Sequence, residues 1–197
     1  EVTEHFTGFV TGQGYGITRI YCSAMLRAMQ TAQPIQKRLG IDPEVVVMVH
    51  EQGGLFAGDP RELETCVGHP GMSRSEIQAR FPGYILPAEI TEEGWWRGSH
   101  EPWADCTKRA ENAAAWLCQL ADQFAQEQMQ ENIALVIHAD FIDQLLKALL
   151  GHLPGDHFRY THHNTAITHV EFGDDGWRRL RYVNRTAHFT PHLFDEQ

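Results

Sequence analysis

The strongest constraint on this chain is a junction. Residues 17 to 22, Ile-Thr-Arg-Ile-Tyr-Cys, read as a short apolar strand, and residues 25 to 39 read as a helix. Across the junction runs Ser23-Ala24-Met25-Leu26-Arg27-Ala28-Met29-Gln30-Thr31-Ala32, the pattern SxxxRAxxTA. A strand that passes straight into a helix belongs to an α/β sheet, and the helix start gathers backbone N–H groups beside the Arg27 cation. That corner is an anion pocket, and the guanidinium's fixed fork of donors fits a phosphoryl group bidentately. Ser23 is the expected helix cap, and Pro34 is expected to kink or divide the helix.

The same arrangement recurs later in other letters. Residues 133 to 137, Ile-Ala-Leu-Val-Ile, read as a buried strand, His138-Ala139-Asp140 follows, and Phe141, Ile142, Leu145, Leu146, Leu149 and Leu150 repeat at helical spacing up to Gly151. In an open parallel sheet the carboxyl ends of the strands line one crevice, so Arg27 and His138 are expected to share one anion. A third apolar run, Val45 to Val49, reads as another strand that delivers Glu51 to the same rim, with His50 pointing to the opposite side.

Together these residues resemble the histidine phosphatase superfamily, the phosphoglycerate-mutase-like group. The resemblance rests on SxxxRAxxTA, on Glu51-Gln52-Gly53-Gly54, on the strand-His-helix element at His138, and on Asn164 to Thr168 leading into a late strand. It covers roughly residues 17 to 190 and implies a phosphomonoesterase acting on a phosphorylated small molecule, without metal or cofactor. By resemblance an upstream histidine attacks phosphorus, Arg27 and His138 hold the phosphoryl oxygens, and Glu51 is the acid and then the base. Two alternatives stay open: mutase-type phosphoryl transfer, and a non-catalytic module that only binds a phosphorylated ligand.

The family's nucleophile sits in an Arg-His-Gly motif, and no such triplet occurs in this sequence. His5 precedes Ser23 but follows no apolar strand, so the role is not carried onto it. Either the sequence lacks its natural N-terminus or the protein does without the covalent step. The family's missing strand is central, and an unfilled central place orphans two rows of backbone groups. An upstream segment of roughly 30 to 45 residues, or a strand from another chain, is therefore expected.

Family members commonly carry glycine where Ala139 stands, so its methyl is expected to narrow the pocket or to shift the backbone slightly. Ser23 and Ala139 count with Arg27 and His138 as substrate-binding candidates. From Gln52 to Trp103 the texture changes: eight of seventeen glycines and three of five tryptophans fall there. Such a segment reads as a lid, with Arg61, Arg74, Trp95, Trp96 and Arg97 as candidate substrate contacts and a short helix at Ser73 to Ile77.

Residues 105 to 127 form the clearest helix, capped by Asp105 and serving packing, and Gly173 to Gly176 reads as a hairpin turn between Ile167–Phe172 and Trp177–Val183. The 197 residues suit one domain, an α/β three-layer sandwich with a mostly parallel sheet, helices on both faces, and a late antiparallel element.

The net charge of −10 argues against nucleic-acid binding. Four cysteines lack CxxC spacing, and His157, His162, His163, His169 and His188 show no HxH or HExxH pattern, so neither a disulfide framework nor a metal site is expected. Without an apolar run of 18 residues or a basic-apolar leader, the reading is cytoplasmic with no membrane partner. Self-association is left open.

Overall fold

The computed structural model describes residues 14–151 and 157–188. The reading of His5 lies outside them. The chain is a mixed α/β protein whose central element is a three-stranded parallel sheet. Strand β1 (Arg19–Ser23) lies in the middle, with β2 (Glu44–Val46) on one side and β5 (Ile133–Val136) on the other. Ser23 is level with Val46, and Cys22 with Val136. All three strands therefore end at one rim, and each is followed within five residues by a candidate site residue: Arg27, Glu51 and His138.

Alternation along these strands supplies two apolar cores. Ile20, Cys22, Val45 and Ala134 pack with Met29, Ala32 and Ile35 of helix α1 (Leu26–Leu39). Val46 and Leu135 belong with Ala110, Ala113 and Phe141 from helices α3 (Trp103–Gln126) and α4 (Ala139–Leu150). Burying Ile20, Met29, Ile35 and Phe141 almost completely stabilises the fold by about 1.5–3 kcal/mol each.

The segment from 52 to 103 is built into the first core. Its strands β3 (Phe56–Ala57) and β4 (Val67–Gly68) pair antiparallel, and helix α2 (Arg74–Arg80) opens with the expected capping box of Ser73 and Glu76. Ile77, Phe81, Tyr84, Ile90 and Trp95 are buried against α1 and the sheet, and Ile85 exchanges backbone hydrogen bonds with the β2 edge. The final strands β6 (Ile167–Phe172) and β7 (Arg178–Arg185) form the expected hairpin, as a sheet of their own.

Several local expectations need correction. Helix α1 runs unbroken through Pro34, because Ala32 and Ile35 on either side are locked into the core. Its N-cap is Met25; the Ser23 hydroxyl instead accepts the Met25 N–H inside the turn. β2 ends at Val46 and tightens into a 3-10 turn over Val47–Val49, so strand alternation does not reach His50. α3 starts after Pro102, which leaves Asp105 in the first turn rather than at the cap. The four cysteines are free thiols, and burial pushes those of Cys22 and Cys106 up to about 12.

Candidate active site

The SxxxRAxxTA motif has a local reason at each position. Ser23, fully buried, fixes the turn between β1 and α1. Ala28 and Ala32 are small enough to seat α1 on the sheet and are themselves buried. The Thr31 hydroxyl donates to the Arg27 carbonyl one turn back at 2.9 Å. Arg27 is left on the exposed side, reaching across the strand tips.

There it meets His138. Arg27 Nε donates to His138 Nδ1 at 3.1 Å, joining residues 111 apart in sequence. A histidine that accepts at Nδ1 is neutral and carries its proton on Nε2. The imidazole's surroundings agree: burial, and then the nearby Arg27 charge, lower the His138 pKa to about 3. The Nε2 donor is itself buried and has no hydrogen-bond partner among the described residues. An unmet buried donor costs about 1–3 kcal/mol, which an incoming oxyanion would offset.

Glu51 stands at the start of the same helix. Its Oε1 accepts the Gln52 N–H at 2.9 Å and the Phe141 N–H, two residues past Ala139, at 3.0 Å. The amides of Phe141 and Asp140 in the first turn of α4 therefore serve the Glu51 carboxyl. Burial raises the Glu51 pKa, and these backbone hydrogen bonds pull against it without cancelling it. The turn that aims Glu51 needs the glycine pair: Gly53 and Gly54 have φ of +87° and +72°, and a Cβ on Gly54 would strike the Trp96 ring.

Two neighbours of the site, Arg109 and Glu101, escaped sequence reasoning, and a third, His50, was misdirected by it. Arg109 of α3 pairs with Glu101 through Nε at 2.8 Å and Nη2 at 2.5 Å, and its Nη1 donates to the carbonyls of Met48 and His50. The guanidinium also lies 4.4 Å from the centre of the Phe141 ring, so one side chain grips the Glu51 turn and the α4 start together. Glu101 is anchored in turn to the glycine turn through its N–H, and its carbonyl accepts from Gln52 Nε2. His50, expected to point away, is buried beside the site, with Nδ1 at 2.8 Å from the Glu51 carbonyl and its ring 4.9 Å from that of Trp96. Burial lowers its pKa to about 4, so it too is neutral.

The remaining candidates have structural partners. Arg74 donates to the carbonyls of Leu86, Pro87 and Ile90, because it holds the loop after α2 in place, and so is withdrawn as a substrate contact. Arg61 pairs with Asp59 at the surface, and Arg97 is held by Glu93 and Thr91. Trp96 packs behind His50 and Gly54, and Ala139 is exposed at the rim. Among the described residues no group of three or more histidines, cysteines or acids is placed to hold a metal ion, and no helix is long and apolar enough to cross a membrane.

The sequence profile of the histidine phosphatase superfamily, branch 1, matches residues 12–185. The chain belongs to that family. Mycobacterial glucosyl-3-phosphoglycerate phosphatase has a similar fold, with a TM-score of 0.54 at 18% identity over 94% of this chain and 84% of that one. Its complex with VO3 gives the same TM-score, and a structure described as mycobacterial hydrolase 1 gives 0.53, both at 18% identity over 94% of this chain and 83% of theirs. No curated protein matches the chain.

Proposed function

We propose that the protein is a phosphomonoesterase that hydrolyses a phosphorylated small molecule through a phosphohistidine, on a three-layer α/β scaffold whose 52 to 103 segment flanks the pocket. The observation that carries the reading is the Arg27–His138 hydrogen bond, which fixes a buried, unpartnered Nε2–H at the rim where Glu51 also stands. His138 donates from Nε2 to a phosphoryl oxygen, and Arg27 uses its terminal nitrogens for the others. In water-poor surroundings these donors stabilise the charge that spreads over the oxygens in the transition state.

Glu51, whose carboxyl burial pushes above its ordinary value, gives its proton to the leaving alkoxide as the phosphorus–oxygen bond breaks. The resulting carboxylate then takes a proton from the water that cleaves the phosphohistidine. A histidine as nucleophile is the implication of family membership; the sequence has no Arg-His-Gly. The alternative reading is a module that binds phosphorylated ligands without turning them over.

Hydrolysis of p-nitrophenyl phosphate by the full natural protein in EDTA separates the two. Turnover that survives EDTA supports the enzyme, and binding without turnover supports the module. Arg27→Ala should lower kcat/KM at least tenfold, about 1.4 kcal/mol; an unchanged rate removes Arg27 from the site.

A further inference from the structure

Next to the Arg27 rim lies a cavity of about 370 Å³. Its walls are the residues that adjoin the two site motifs: Ala24 and Leu26 between Ser23 and Arg27, and Leu55 and Phe56 directly after the glycine pair. Met72 and Trp95 complete them. Gly71 belongs to the same wall, and a Cβ there would run into the Trp95 indole and come within 2.9 Å of Leu55 Cδ1. Of the lining side chains His69 alone is ionisable. The cavity's side-chain polar groups are the His69 imidazole and the Trp95 indole N–H, too few to replace the water around the several hydroxyls of a sugar or around a glycerate carboxylate.

We propose that this cavity receives the organic part of the substrate, and that the substrate class is a phosphomonoester of an apolar alcohol, alkyl or aromatic, rather than a sugar phosphate or phosphoglycerate. The inference rests on the reading of Arg27 and His138 as the phosphoryl clamp. Its volume lies at the small end of small-molecule sites, about 300–1,000 Å³, which suits a hexyl chain or a single ring. Ala24 and Leu26 in its wall belong to the same strand-to-helix corner that carries Arg27, which puts the cavity at the corner where the phosphoryl group is proposed to sit.

Calorimetric binding of methyl-, butyl-, hexyl- and benzylphosphonate to the full natural protein tests this without interference from turnover, since the phosphorus–carbon bond does not hydrolyse. Each methylene that enters the cavity should tighten binding up to about fourfold, so hexylphosphonate should bind at least about tenfold tighter than methylphosphonate. Leu55→Asn, and independently Met72→Gln, should flatten the series. A flat series in the unaltered protein, or 3,4-dihydroxybutylphosphonate binding as tightly as butylphosphonate, overturns the proposal. Arg27→Ala should weaken every member by a similar factor. A series that keeps its slope and its affinities in Arg27→Ala would leave an apolar site but overturn the phosphoryl reading beneath it.

Discussion

Arg27 and His138 act as one unit, because the bond between them decides which imidazole nitrogen carries the proton. Burial raises the Glu51 pKa, and in the proposed reaction the sign of that shift sets a pH dependence. A general acid must hold its proton, so turnover of an alkyl phosphate should fall as pH rises through the elevated Glu51 value. Glu51→Gln should remove that limb and cost about 10²- to 10⁴-fold in kcat on alkyl esters. On p-nitrophenyl phosphate, whose leaving group hardly needs a proton, the loss should be smaller. An equal loss on both substrates would assign Glu51 a positioning role only. That these three residues meet at one rim was legible because each follows an apolar strand within a recognisable local pattern. His50 was misread for a local reason: a 3-10 turn, unannounced by the valine-rich run, replaced the strand whose alternation would have turned it away.

At the scale of elements, what the sequence could not convey is the contact between α3 and the site. The alanine stripe of α3 announced its packing face, but Arg109 meets Glu101, Met48 and His50 across up to 61 positions, and no periodicity records such a meeting. The available clue was an arginine set between Cys106 and Ala110, at the margin of a buried stripe. Replacing it by Arg109→Leu strands a buried Glu101 carboxylate and two carbonyls, which should destabilise the protein by about 3–5 kcal/mol in urea unfolding. A loss under about 1 kcal/mol, the range of exposed pairs, would contradict the clamp. The 52 to 103 segment is a similar case. Its glycines and tryptophans marked it as unusual, yet its Ile77, Phe81 and Tyr84 help to build the core, a tertiary outcome invisible in local texture.

For the whole molecule, the two neutral histidines bear on stability. His138 and His50 take up protons in the unfolded chain near 6.5 but in the folded one only near about 3 and about 4. Their contribution is therefore present above pH 6.5 and lost as pH falls toward the folded values. Glu51 works oppositely, its contribution being present below 4.5 and lost as pH rises through its elevated value. Between 4.5 and 6.5 two groups oppose one, so the urea midpoint should drop from pH 7 to pH 5. A constant or rising midpoint would contradict the burial of the pair. The strand order and shared rim bring Arg27, Glu51 and His138 to one place, and the central claim is that Arg27 and His138 jointly hold one tetrahedral anion. Its most direct test is vanadate binding to the full natural protein, to Arg27→Ala, to His138→Ala and to the double variant. Each single change should weaken binding at least about tenfold, and the double should lose less than the product of the two, because the partners are coupled. Vanadate held equally well by all four proteins would contradict the account.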